Sequence, residues 1–330
     1  MTERRQQGAG NGPARRSTWA AWLQLVRLPN LLTVPGDPIA GFLLATAAGF
    51  PGSDSRFAFF EGIPGGALWA RAGVAAVVAL LLYMCGLVDN DLADLDEDRV
   101  ERPHRPLPSG RISFNAARMA AGLLGAAGVC FATISGRAGL AAAGALLAAV
   151  LLYNHAVKRI RIAGPLLMGS CRALSLLVGA AAAGWRGECS MPVLVPAVLL
   201  GLYVASVTAI AAGETRAAEL GFRRWLPALV LVTGFAAVGH VAFTAGLGGW
   251  SCAPLAGGVM AIWAGLLGHR LSGRPPPAVV QASVGRLIRG LLVLQFIFTA
   301  VAGMRPAGVG AAFLALWLLQ FRIAKRFYST

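Results

Sequence analysis

The sequence predicts an all-α fold: a polytopic transmembrane helical bundle with about nine to ten spans. Of its 330 residues, 57% are hydrophobic and only 13% are charged, against about 25% charged in an average soluble domain. The mean hydropathy of +0.66 points to lipid as the solvent for most of the chain. The net charge is +15, but the basic residues punctuate apolar runs and do not cluster on a polar domain. This pattern argues against nucleic acid as a partner.

Ten apolar segments are long enough to be membrane spans. The first is interrupted by Pro29 and by Pro-Gly-Asp-Pro at residues 35–38, which predicts a kink or a break near its start. Residues 1–18 read as a disordered, basic cytoplasmic tail and residues 19–330 as a single membrane domain. The ten segments cover residues 19–49, 67–89, 114–134, 138–155, 164–185, 192–212, 225–245, 254–268, 286–303 and 309–324.

The basic residues also predict the topology, because short cytoplasmic loops collect Lys and Arg. With the N-terminus inside, 21 of the 29 basic residues fall on cytoplasmic segments and 5 on outside segments. An even number of spans then places the C-terminus inside as well. We therefore expect a multi-pass protein of the bacterial inner membrane, with both termini in the cytoplasm and membrane lipid around it.

The acidic residues are scarce and unevenly distributed. Only 14 are present, and seven of them fall within the 13 residues from Asp89 to Glu101, at the cytoplasmic end of the second segment. If the helix continues through this stretch, Asn90, Asp94 and Asp98 share one face, with Asp91 beside Asp94. Stacked carboxylates repel one another, so this arrangement needs a cation.

Hard oxygen ligands on one face suit Mg²⁺, which fills its remaining positions with water and substrate phosphates. Four arginines follow within or just after the acidic stretch and are suited to neutralise the same phosphates. They are Arg99, Arg102, Arg105 and Arg111. Together these residues indicate a metal–diphosphate site at the membrane surface. The alternative is a solvated loop of mixed charge whose arginines only follow the topology rule.

Three stretches carry a family resemblance. N-D-x-x-D-x-x-x-D at residues 90–98, followed by R-P-x-R-P-L-P-S-G at residues 102–110, resembles the first signature of the UbiA superfamily of intramembrane prenyltransferases. R-L-P-N-L-L-T-V-P-G-D-P-I-A-G at residues 27–41 resembles the family's first helix, and Y-N-H-A-V-K-R at residues 153–159 its Y-x-x-x-K stretch. With M-G-x-C-R at residues 168–172, the chain further resembles the EboC-like branch.

The resemblance implies a Mg²⁺-dependent transferase that moves an isoprenyl group from an isoprenyl diphosphate to an acceptor. The acceptor in this family is usually an electron-rich aromatic ring; a polar, non-aromatic acceptor is the alternative. The resemblance also implies that Asn90, Asp94 and Asp98 hold the metal, with Asp91 in support. Arg105 and Lys158 are the expected diphosphate ligands, to which Arg102 and Arg161 are added by their positions. The rival interpretation is a non-catalytic lipid-binding or transporter-like homologue.

The second acidic motif of the family is altered. Glu214 and Glu219 are five residues apart with Arg216 between them, and this spacing turns the two carboxylates away from each other on a helix. We expect Glu214 alone to bind a metal, or Arg216 to replace a second metal as a diphosphate counter-charge. An ordinary positive cytoplasmic loop is the alternative.

Charged residues expected inside the membrane include Asp37 in the first segment and Arg172 in the fifth. Intramembrane charges are costly and usually functional. Arg172 is therefore predicted to contact the diphosphate or the acceptor as part of the catalytic set with Asp94, Asp98 and Lys158. A structural pair with Asp37 or with a carbonyl group is the alternative.

Overall fold

The computed structural model describes residues 18–49, 65–187, 190–212 and 219–303, together with residues 312, 315 and 318. The predicted tail at residues 1–17 and nearly all of the predicted tenth span lie outside these ranges. Within them the chain forms twelve α-helices and no strand. The helices are α1 (Thr18–Leu25), α2 (Leu28–Leu31), α3 (Gly36–Ala48), α4 (Gly65–Ala93), α5 (Leu95–Glu101), α6 (Phe114–Ala132), α7 (Gly136–Leu152), α8 (Ala163–Ala182), α9 (Met191–Ala211), α10 (Leu226–Thr244), α11 (Cys252–Arg270) and α12 (Pro277–Ala302).

Seven stretches of the described chain are long and apolar enough to cross a membrane, and one of them, Phe114–Val157, contains both α6 and α7. These stretches match the second to ninth predicted segments. The ninth begins at Pro277, earlier than the predicted residue 286, so Arg286 and Arg289 lie on α12 and not in a loop. Large side chains are exposed along one face of α11, at Leu255, Val259, Ile262 and Leu266. Such a face suits lipid and not water.

The first predicted segment is broken, as expected from its prolines. α1 ends at Leu25, and Arg27 adopts a left-handed conformation (φ 48°, ψ 55°) before the short helix α2. α3 then begins at Gly36 and has 13 residues, about 20 Å of helix. The break directs the Arg27 side chain toward α4, where the acidic stretch begins.

The bundle is held together by close approaches of helix backbones at glycines. A Cβ on Gly179 of α8 would lie 1.8 Å from the carbonyl oxygen of Pro38, and one on Gly41 of α3 would lie 2.0 Å from that of Leu176. Gly169 of α8 approaches the carbonyl oxygen of Gly201 on α9 in the same way, at 2.1 Å. Small residues at helix contacts are typical of membrane bundles. They bring α3, α8 and α9 close enough to enclose one wall of a cavity.

Besides the main apolar core of the bundle, a small apolar cluster lies at the end of α4. It joins α1 to α6 and to the loop between α5 and α6, and its buried members are Ala21, Leu25, Val88, Leu107, Ile112, Ala117 and Ala121. Leu107 and Ile112 therefore anchor the arginine- and proline-rich loop onto the bundle.

We expect Gly179→Ala to destabilise the bundle, because the added methyl group meets backbone that cannot move independently. Overpacking of this kind costs about 1–3 kcal/mol. The matched control is Gly144→Ala on α7, where a Cβ meets nothing within 4 Å. Thermal unfolding in nanodiscs compares the two variants, and equal midpoints would contradict the close-packed α3–α8 contact.

Candidate active site

The acidic stretch lies where α4 ends. The shared face of Asn90, Asp94 and Asp98 depends on a helix that continues through this stretch, and the structure interrupts the helix at Asp94 (φ −96°, ψ 6°) between α4 and α5. The hydrogen bonds from the Asp94 amide to the Asn90 carbonyl and from the Asp98 amide to the Asp94 carbonyl, 3.0 and 2.8 Å, keep the helical register. Asn90 Nδ2 donates to Asp94 Oδ2 at 3.2 Å. Asn90 and Asp94 are therefore in contact despite the interruption.

Asp91 and Asp98 are buried and share one arginine. Arg105 Nη1 lies 2.6 Å from Asp98 Oδ2 and 3.8 Å from Asp91 Oδ1. Arg27 Nη2 donates to Asp91 Oδ1 at 3.1 Å, and Arg102 Nη1 lies 3.7 Å from Asp98 Oδ1. Two nearby carboxylates are thus neutralised by three guanidinium groups, as buried charges require.

Lys158, which follows the end of α7, forms an ion pair with Asp94. Its Nζ lies 2.5 Å from Asp94 Oδ1. A π-helical turn at Tyr153–Val157 ends α7, and the Lys158 amide donates to the Tyr153 carbonyl at 3.0 Å. A π-turn rotates the following residue relative to an α-helix and is frequent at functional sites. Here it precedes the lysine that pairs with Asp94.

The same turn is tied to α4 by a second set of bonds. Asn154 Nδ2 donates to Asp89 Oδ2 at 2.7 Å and to the Gly86 carbonyl at 3.0 Å. His155 Nε2 lies 3.1 Å from Asp89 Oδ1. Asn154, His155 and Lys158 therefore fasten the stretch after α7 to the end of α4 and to Asp94.

The loop that carries Arg102 and Arg105 is folded on itself. Ser109 Oγ donates to the Arg105 carbonyl at 2.6 Å, and Gly110 has a positive φ of 71°, which favours glycine. Arg111 donates to the His104 carbonyl and to Gln24 of α1, at 2.7 and 3.0 Å. These bonds give a structural reason for the Pro-Leu-Pro-Ser-Gly sequence: it returns Arg105 to the carboxylates.

A cavity of about 370 Å³ opens beside these groups. Its polar lining includes Arg27, Asn30, Asn90 and Asn154. Most of the remaining wall is apolar, with Ala79, Leu146, Val150, Met168, Val204, Val207, Val284, Ile288 and Leu291. A ligand with a polar head and an apolar tail matches this lining.

Deeper in the bundle, Arg172 and Asp37 form the ion pair that was the alternative to a substrate contact. Arg172 Nε lies 2.8 Å from Asp37 Oδ2, and Nη2 donates to Asp37 Oδ1 and to the Thr33 carbonyl, at 3.1 and 3.0 Å. Gln295 of α12 donates to the same two acceptors at 2.6 and 2.7 Å. Because Arg172 also lines the cavity, the ion pair with Asp37 does not prevent Arg172 from contacting a ligand, and the predicted contact stays a prediction.

The donor set at the mouth fits Mg²⁺ in its chemistry. Asn90 and Asp94 offer adjacent hard oxygen atoms, and Mg²⁺ is commonly held by one or two carboxylates together with substrate phosphates. Among the described residues, no group of three or more His, Cys, Asp or Glu side chains is arranged to hold a metal. The full four-residue ligand set therefore stays a prediction.

The other predicted site residues separate into two groups. Glu214 and Arg216 lie outside the described residues. Arg161 is exposed and is not among the residues that contact the carboxylates.

Arg27, Asn154 and Gln295 were not singled out from the sequence. Arg27 carried a usable signal, a charge inside an apolar run, whereas the other two depend on how distant helices pack.

Known proteins with similar sequences identify the family of this chain. The model of the UbiA prenyltransferase family matches residues 57–277, about two thirds of the chain. Digeranylgeranylglyceryl phosphate synthases are among the relatives: that of Sulfolobus acidocaldarius is 32% identical over 167 residues (50% of this chain, 53% of the relative), and that of Ignicoccus hospitalis 33% over 171 residues (51% and 49%). The chain thus spans about half the length of these curated relatives.

Solved structures support the fold. One described as a study of digeranylgeranylglyceryl phosphate synthase in membranes superposes with a TM-score of 0.58 at 19% identity, covering 86% of this chain and 99% of that one. A UbiA homolog from Archaeoglobus fulgidus bound to DMAPP and Mg²⁺ gives 0.56 at 13% identity, covering 84% and 98%. The EboC-like branch and the bacterial membrane stay predictions. The chain is a multi-pass membrane protein and belongs to the UbiA prenyltransferase family.

Proposed function

We propose that the protein transfers an isoprenyl group from a prenyl diphosphate to the hydroxyl group of a polar, lipid-like acceptor of the prenylglyceryl phosphate class, with Mg²⁺ as cofactor. The observation that carries the proposal is a cluster of paired carboxylates and cations beside a mostly apolar cavity: Arg27 and Asn90 line the cavity and contact Asp91 and Asp94. The loops that carry this site are expected to face the cytoplasm, in agreement with the bias of basic residues.

Lys158 and Arg105 are the proposed diphosphate ligands. Each already pairs with a carboxylate, at 2.5 and 2.6 Å, so each ammonium or guanidinium group is held at the mouth before a ligand arrives. Groups fixed in advance stabilise developing charge without reorganising during the reaction. Arg27 and Arg102 add positive charge beside the same carboxylates.

In the proposed reaction the allylic carbon–oxygen bond of the donor breaks, and the electron pair leaves with the diphosphate. The acceptor hydroxyl oxygen then forms a bond to the allylic cation and gives its proton to the departing diphosphate. Mg²⁺, when bound, supplies positive charge that offsets the charge of the leaving group. Asn90 and Asp94 would hold it, with Asp91 and Asp98 in support. The apolar wall of the cavity holds the prenyl chain and limits access of water to the cation.

The acceptor class is chosen between the two that the sequence left open. The curated relatives are named for a glyceryl phosphate that carries two geranylgeranyl groups. Their names support a polar acceptor over an aromatic ring. The Asn and Arg side chains at the cavity mouth are compatible with a phosphate head group and leave the apolar wall for its chain.

The acceptor is tested by incubating the purified protein in nanodiscs with labelled geranylgeranyl diphosphate and Mg²⁺. Geranylgeranylglyceryl phosphate and 4-hydroxybenzoate serve as competing acceptors. We expect a product with the mass of the lipid acceptor plus one geranylgeranyl group, and release of diphosphate that requires Mg²⁺. Prenylation of the aromatic ring alone would contradict the acceptor class. Donor binding without any turnover would favour the non-catalytic or transporter-like interpretation.

The roles of the carboxylates are tested with Asp94→Asn. We expect kcat to fall about 100-fold or more, because the charge that supports the metal and Lys158 is lost. Asp96→Asn is the matched control: it lies two residues away, and its side chain is 94% exposed in a surface pair with Arg99. Steady-state diphosphate release measures both variants. An unchanged kcat in Asp94→Asn would refute the proposed role of this residue.

A further inference from the structure

The buried cluster around Arg172 is costly to form. Asp37 and Gln295 are fully buried and Arg172 is 7% exposed, in a bundle whose surroundings are apolar. Replacing a buried ion pair by packed apolar residues is often neutral or stabilising. The need to hold α3, α8 and α12 together therefore does not by itself explain why charged groups stand at this depth.

The hydrogen-bond donors of Arg172 are unequally used. Nε lies 2.8 Å from Asp37 Oδ2 as an ion pair but makes no hydrogen bond, and Nη2 donates to Asp37 Oδ1 and to the Thr33 carbonyl. Nη1 makes no hydrogen bond to a described residue and, unlike Nε, is not among the fully buried atoms of a side chain that lines the cavity. A guanidinium group has donors in a rigid planar fork, so fixing two nitrogens also fixes the direction of the third.

Gln295 strengthens this arrangement from α12. Its amide donates to the same two oxygen atoms that hold Arg172. It reaches them because Gly36 has no side chain: a Cβ there would lie 2.0 Å from Gln295 Oε1. Asp37 and Gln295 both lie outside residues 57–277, the segment that matches the family model.

Arg172 is far from the proposed diphosphate ligands along the bundle. It is nine residues beyond the start of α8 at Ala163, which corresponds to about 14 Å of helix, whereas Lys158 precedes that helix. The pair of Arg172 and Asp37 also has no net charge. A phosphate group at this depth would bring uncompensated negative charge into an apolar wall. An uncharged oxygen that only needs a hydrogen-bond donor does not have this penalty.

We propose that Arg172 Nη1 is a binding subsite for an uncharged oxygen of the acceptor, such as the ether oxygen of a prenylglyceryl lipid. Asp37, Gln295 and the Thr33 carbonyl are positioning groups that aim this donor into the cavity. The subsite deepens the proposed function and rests on its acceptor class. It recognises the acceptor separately from the donor, whose diphosphate stays at the mouth.

The test compares two probes in direct binding measurements on the full chain in nanodiscs. One is geranylgeranylglyceryl phosphate with its ether oxygen; the other has that oxygen replaced by a methylene group. We expect the wild-type protein to bind the ether probe about 10-fold more tightly, as for one hydrogen bond from a charged donor. In Arg172→Lys, the ammonium group stays with Asp37 and this preference falls to about 2-fold or less.

Geranylgeranyl diphosphate binding is the internal control and should be unchanged in Arg172→Lys. Gly234→Ala controls for a general loss of packing, because its Cβ would meet Leu199 at 2.2 Å and Gly234 does not line the cavity. This variant should keep the preference for the ether probe. If Arg172→Lys does not fold, the double variant Asp37→Asn with Arg172→Gln removes both charges and takes its place.

Equal binding of the two probes by the wild-type protein overturns the subsite, as does a preference that persists in the Arg172 variants. Binding of neither probe overturns the subsite and the acceptor class together. A preference for the ether probe without diphosphate release keeps the subsite and refutes the proposed transfer. Diphosphate release without a preference for the ether probe keeps the proposed transfer and refutes the subsite.

Discussion

Charge inside a bundle that lipid surrounds is tolerated only where an opposite charge reaches it, and this constraint organises the molecule. Asp94 at the end of α4 is met by Lys158 from beyond α7, and Asp91 by Arg27 from the break after α1. The Asp37–Arg172 pair links α3 to α8. Each pair joins segments that are distant in sequence. These pairs add charged contacts to the glycine-mediated packing of the helices, with one set beside the mouth of the cavity and the other in its wall.

The two sets of ion pairs differ in which of their groups a ligand can contact. At the mouth the Asp94–Lys158 pair is partly exposed, and in the proposed function a diphosphate with its metal competes for Lys158 and Arg105. In the wall the pair is buried and has no net charge, and Arg172 Nη1 is the nitrogen that we propose donates to a ligand. This difference separates two tasks that a transferase must combine: charge at the mouth suits a leaving group, and a single donor in an apolar wall suits the orientation of an uncharged acceptor group.

The sequence predicted the spans and the acidic stretch because charge is so scarce that its placement is informative. Half of the acids fall within 13 residues, and Lys158 was identified through a motif. The pairing of Asp94 with Lys158, 64 residues away, could not be derived from periodicity. The interruption at Asp94 was missed because the helical pattern continues through it. Gln295 looked like one amide in an apolar helix, and its role depends on a close approach to Gly36.

We propose that the ion pairs at the mouth fasten α4 to the segments that carry their partners and also receive the diphosphate. Thermal unfolding of the wild-type protein and Lys158→Met, with and without geranylgeranyl diphosphate and Mg²⁺, tests both parts in one measurement. Without ligand, the variant should be less stable by about 1–3 kcal/mol because Asp94 loses its partner. The ligand should raise the wild-type Tm and leave that of the variant nearly unchanged. A ligand-induced increase of the same size in Lys158→Met would contradict the account.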